Sequence, residues 1–103
     1  MLIEHLGDEH SLVVRQNAIR TLGKVGDKRA VSPLVDILRA PVQGKVDDEA
    51  ENEAILRRSA VVALGEIGDQ AALPILMALA NSATDYQSVR DLARITARKL
   101  ETK

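Results

Sequence analysis

The chain has 103 residues, enough to bury a core without cross-links and few enough for one domain. It has no cysteine, which excludes disulfides, thiolate metal centres and thiol nucleophiles, and a formal net charge of −1 exerts little long-range pull on nucleic acid or anionic membrane. Tyr86 is the single aromatic residue, so the core must be aliphatic, and Ala, Leu, Val and Ile mixed with Arg, Glu, Asp and Lys make a helix-forming palette.

No apolar run approaches the roughly 20 residues that cross a bilayer, and the opening MLIEHLGDEH has no basic segment followed by an apolar one, so the chain reads as cytoplasmic. In chain order, Leu2, Ile3 and Leu6 before Gly7-Asp8 predict a short helix over about 1–6, the end of a partial repeat spanning 1–10. A first full repeat, 11–39, follows. Val14, Ala18, Leu22 and Val25 recur at helical spacing and predict a helix over 11–25. Gly26 ends it, Asp27 is placed to accept the free N–H groups of the next helix, and Val31, Leu34, Val35 and Leu38 mark that helix over 28–39. Residues 40–52 form an acidic insertion: Ala40-Pro41 stops the helix, Gly44 permits a turn, and Asp47, Asp48, Glu49, Glu51 and Glu53 crowd the start of a helix over 48–67. The second repeat, 53–81, repeats the scheme with Leu56, Ala60, Leu64 and Ile67, then Gly68-Asp69, then Leu73, Leu76 and Leu79 on a helix over 70–81. A partial repeat over 86–103 supplies a sixth helix at about 86–101.

The two full copies align at an offset of 42 through the corner: Arg15 with Arg57, Ala18 with Ala60, Leu22 with Leu64, Gly23 with Gly65, Gly26 with Gly68, Asp27 with Asp69. Beyond the corner, matching Pro33 to Pro74 shortens the second copy by one residue, and Arg90 and Ala93 repeat the Arg-x-x-Ala spacing a third time. Self-similarity at a period of tens of residues is the signature of a stacked repeat array. Gly23 and Gly65 lie one turn before the helix ends, where a missing side chain lets a neighbouring helix approach. A phosphate cradle would need a preceding strand and a Lys-Ser or Lys-Thr pair, and neither accompanies these glycines.

The pattern VRxxAxxxLGxxGDxxAVxPL over 11–39 and 53–81 resembles HEAT-type repeats, in particular the short HEAT-like repeats of phycobilisome lyases. That resemblance implies an all-α fold, a right-handed α-α superhelix of about six helices, used to grip protein partners. First helices would take the convex side and second helices the concave side, with Arg29, Ser32, Asp36, Arg39, Gln70, Ile75, Met77 and Ala78 as candidate partner-binding residues. It also implies a structural ladder in which Arg15, Arg57 and Arg90 pair with Asp27 and Asp69, a use that suits the bidentate guanidinium. The expected function is a non-catalytic protein-interaction scaffold. Two alternatives stand beside it: a phycobilin lyase subunit or chromophore-handling accessory, and a nucleic-acid-binding module.

Little else points to chemistry. Glu4-His5 and Glu9-His10 reverse the order of the His-Glu pairs that hold iron in HEAT-like deoxyhypusine hydroxylases, and they straddle a turn, so the expectation is exposed turn residues and no metal or cofactor. Two histidines without a cysteine leave no nucleophile set, and no catalytic residue is expected. Arg90, Arg94 and Arg98, with Lys99 alongside, form a basic stripe. With one aromatic residue available for base stacking, nucleic acid is not the expected partner, and a solvated face or the acidic insertion of another subunit fits better. The Leu2, Ile3 and Leu6 face at a cut repeat end makes self-association an option, as do a longer parent chain and a fold-back.

Overall fold

Aliphatic residues one turn apart give each helix a single face to bury, and the described chain satisfies those faces by stacking helices in two layers. The computed structural model describes residues 12–39, 47–82 and 85–102. The helix expected over 1–6, the Glu4-His5 and Glu9-His10 pairs and the 40–46 part of the insertion lie outside the described residues. Among the described residues there are five α-helices: α1 (Leu12–Val25), α2 (Val31–Arg39), α3 (Asp47–Ile67), α4 (Leu73–Ala80) and α5 (Gln87–Glu101). No strand occurs among the described residues.

Helices α1, α3 and α5 pack side by side as one layer, while α2 packs on α3 and α4 on α5 to make the second. The interior between them is aliphatic, with Ile19, Leu34, Leu64, Leu76, Leu100, Val61 and Val89 fully buried. This is the all-α stack of helical hairpins expected from the repeat. The acidic segment continues into it, since residues 47–52 are helical and form the first turns of α3.

Both corners are built alike. Gly26 and Gly68 sit at φ +72° and +73°, a left-handed conformation open to glycine at little cost, and their N–H groups close onto Leu22 O and Leu64 O. Asp27 and Asp69 then cap a one-turn 3-10 segment, Lys28–Ala30 or Gln70–Ala72, by accepting from the backbone N–H of Arg29 or Ala71 at 2.9 Å. Each expected second helix therefore begins as this tighter turn and becomes α-helical at Val31 or Leu73.

The shortening inferred from the prolines is not there. Asp27 and Asp69, the two 3-10 turns, and Val31 and Leu73 all keep the offset of 42. Pro33 is the third residue of α2 and Pro74 the second of α4. Every N–H in the first turn of a helix lacks an internal acceptor, so proline fits at either place and marks no register.

The first-helix layer is drawn together at two small-residue contacts. A Cβ built on Gly23 would lie 2.8 Å from Ala63 Cα and 2.9 Å from Ala63 Cβ, and one on Gly65 would lie 2.8 Å from Thr96 Cγ2. Backbone meets backbone at the first contact and a side-chain methyl at the second. Gly23→Ala is accordingly expected to destabilise by about 1–3 kcal/mol despite alanine's better helix propensity. Gly65→Ala should cost less, and in a Thr96→Ser background, where the methyl is gone, its cost should fall below about 1 kcal/mol. Urea denaturation of the four variants checks both expectations.

Candidate functional site

Two features stand out once the stack is assembled: a buried charge bridge between repeats and an outward strip on the second-helix layer. The bridge centres on Arg57, near the middle of α3, whose side chain is 6% exposed and whose partner Asp85 is 2% exposed. Arg57 Nη2 donates to Asp85 Oδ2 at 2.5 Å and Nε to Oδ1 at 3.2 Å. The other side of the guanidinium donates to Ile37 O at 3.3 Å and Leu38 O at 3.1 Å, carbonyls in the last turn of α2. One arginine thus ties three elements: the end of α2, the body of α3 and the turn that leads into α5. Beside it the Tyr86 hydroxyl donates to Glu53 Oε1, and the Tyr86 N–H donates to Asp85 Oδ1 at 2.8 Å.

The ladder implied by the resemblance is thereby redrawn. Asp27 is held by Arg29, whose Nη2 lies 2.7 Å from Oδ2, and that hydrogen bond lowers the Asp27 pKa and raises that of Arg29. Asp69 caps Ala71. Neither aspartate is bonded to a repeat arginine among the described residues. A corner aspartate is consumed by the turn it starts, and the carboxylate that reaches Arg57 comes from the loop before the next first helix. Arg15 and Arg90 hold the equivalent places in α1 and α5, yet the Nε of each is buried with no hydrogen-bond partner among the described residues. Counting back from the repeat arginine, the place of Asp85 falls on Asn52 in α3, where helix replaces the loop.

The candidate partner-binding residues are mostly outward. Ser32, Asp36 and Arg39 on α2, and Met77 and Ala78 on α4, are exposed; Met77 is half open to solvent. Arg29 is exposed but engaged by Asp27, and Gln70 is exposed with its amide donating to Leu100 O at 3.4 Å. Ile75 is the exception, half-buried against the core, because the retained offset puts it at the place of Pro33, on the flank of the helix. On α5, Arg94 and Arg98 are exposed and Arg90 is half-buried. Among the described residues no group of three or more His, Asp or Glu is placed to hold a metal, and no helix is long and apolar enough to cross a membrane.

Sequence reading missed Asp85 and the Tyr86–Glu53 bond. The available signal was position: Glu53 and Tyr86 each stand four residues before a repeat arginine, so adjacent first helices present them to each other.

Helical hairpins stacked in two layers and turned at glycine-aspartate corners define an α-α repeat protein of the solenoid class. Residues 1–54 match the family model described as HEAT repeats, and residues 56–82 match the PBS lyase HEAT-like repeat. The chain belongs to the HEAT-repeat family. A search of curated proteins finds no match for it. HEAT repeats generally serve as surfaces for protein–protein interaction.

Two expectations follow from the bridge. Asp85→Ala strands the buried Arg57 charge and should cost about 3–5 kcal/mol, whereas Arg57→Met/Asp85→Leu should cost clearly less than the two single changes added, by urea denaturation. The bond to Glu53, followed by burial, pushes the Tyr86 pKa up to about 12. A tyrosine raised above its unfolded value of about 10 stabilises the fold fully below pH 10 and loses that contribution as pH climbs through 12. Because Tyr86 is the sole aromatic residue, phenolate absorbance reports it alone: the midpoint should stand near 12, and Glu53→Gln should bring it back toward 10.

Proposed function

We propose that the chain is a non-catalytic adaptor that captures a protein partner on the outward surface of α2 and α4. The observation behind this reading is the side-by-side placement of those helices with Ser32, Asp36 and Arg39 exposed on one and Pro74, Met77 and Ala78 on the other. None of these side chains is needed to hold the core, so the strip is free to specify a partner. Its chemistry is mixed. Met77, Ala78 and Pro74 offer an adaptable apolar patch, and Asp36 and Arg39 offer opposite charges beside it, a combination suited to a partner segment with an apolar anchor flanked by polar groups.

The second reading, handling of a bilin chromophore, is favoured by the match of residues 56–82 to the PBS lyase HEAT-like repeat. Against it stands the shortage of aromatic surface for a tetrapyrrole, with Tyr86 engaged at the bridge. Nucleic-acid binding has no aromatic platform on the α5 stripe.

Asp36→Lys/Met77→Glu should reduce capture of the partner from a lysate, read by quantitative mass spectrometry, at least tenfold while moving the melting temperature by less than about 2 °C. Undiminished capture by the variant would rule this surface out. Mixing the wild-type chain with bilin should leave the visible absorption band unshifted; a shift would favour the chromophore reading.

A further inference from the structure

Arg57 shows what the repeat arginine does when its helix has a neighbour on each side. Its guanidinium closes the end of α2 through Ile37 O and Leu38 O, and it takes the carboxylate of Asp85 from the turn into the next first helix. Arg90 holds the same place on α5, and there neither half of that arrangement is made. Ala80, which stands where Leu38 stands one repeat earlier, receives Arg94 Nη2 at 3.4 Å instead. Arg90 Nη1 donates to Gln87 Oε1 at 3.4 Å, one turn back on its own helix, and Nε is buried with no acceptor among the described residues. The Nε of Arg15 is unpaired too, but α3 is already seated on α1 through Gly23 and Ala63, so that place is taken.

Beside Arg90 the helix is open. Four and eight residues after the repeat arginine, α1 has Ile19 and Gly23 and α3 has Val61 and Gly65; the first of each pair is buried and the glycine is pressed by the next first helix. On α5 the same places hold Arg94 and Arg98, both exposed. The three arginines follow at four-residue steps, about 6 Å apart along the axis, and each guanidinium is a planar fork of N–H donors. Carboxylates on this helix are Asp91, which accepts from Gln87 Nε2 at 2.8 Å and lies 3.5 Å from Arg94 Nη1, and exposed Glu101. With Lys99 added to the arginines, positive charge is in excess.

We propose that the outer face of α5 binds an acidic segment of a partner protein, its carboxylates one helical turn apart and set against Arg90, Arg94 and Arg98. The occupant is a carboxylate donor because that is what the same arginine holds one repeat earlier. Arg57 is more deeply buried than Arg90 and is still met by Asp85, so half-burial does not keep a carboxylate from Arg90. Nucleic-acid phosphate would use the same charges, but α5 has no aromatic side chain to hold bases. Ion pairs at a partly solvated face make the contact weak and salt-sensitive, with a Kd of about 100 µM at low salt. It uses neither α2 nor α4, and its failure leaves the adaptor reading standing.

Fluorescence anisotropy tests it on the whole chain, with a fluorescein-labelled helical peptide of about 20 residues carrying glutamate at every fourth position. Binding should saturate in about 20 mM salt and weaken at least tenfold in about 500 mM, where the Debye length shrinks to a few ångströms; the same peptide with glutamine for glutamate should not bind. Arg94→Glu/Arg98→Glu should weaken binding at least tenfold with helical circular dichroism unchanged, because both side chains are exposed. Arg90→Lys, which keeps the charge and loses the fork, should weaken it several-fold. Absence of saturable binding at low salt, binding that survives Arg94→Glu/Arg98→Glu, or tighter binding of a single-stranded oligonucleotide overturns the proposal. So does sedimentation velocity in which the chain alone associates through these same arginines, since a second copy would then be the occupant.

Discussion

Everything in the stack depends on how near the first helices come to one another. Gly23 against Ala63, and Gly65 against Thr96, leave no room for a β-carbon, and at those points α1, α3 and α5 touch through small groups. Close approach lets a core without tryptophan or phenylalanine fill by aliphatic interdigitation, because short side chains span a narrow gap and a wide one would be left as voids. The second helices are secondary to this seam. They close over it through Leu34, Leu38, Leu76 and Leu79, and their outer positions are then released from any packing duty.

Close packing sets the spacing between helices but not their lengthwise register, and here the Arg57 bridge contributes. Its donors reach backbone carbonyls of α2 and the carboxylate of Asp85 together, so sliding α3 along either neighbour strands a buried charge. Tyr86 and Glu53 add a second polar tie at the same level, two places of one repeat frame meeting across adjacent helices. Among the described residues the bridge is made by Arg57, whose partner Asp85 sits in the loop before α5; the same place before α3 is Asn52, which is already helical.

The division of labour that results is a structural interior and two chemically different surfaces. The layer of α2 and α4 presents a mixed strip, while the outer side of α5 presents arginines where its predecessors present isoleucine, valine and glycine.

Much of this was legible from sequence. Helical spacing of Ala18 and Leu22, or of Ala60 and Leu64, announced the buried faces, the twin glycine-aspartate pairs announced the corners, and the fold class followed, because periodicity and turn chemistry are local properties. What sequence misread were matters of distance. Matching Pro33 to Pro74 invented a one-residue shift, since proline is tolerated anywhere in a first helical turn and fixes no register. Asp27 and Asp69 were assigned to the arginines, although each is spent within two residues of itself. That Arg57 would find Asp85, 28 residues away, depends on where α5 comes to rest against α3, and only the assembled layers decide which carboxylate arrives within hydrogen-bond reach of a buried guanidinium.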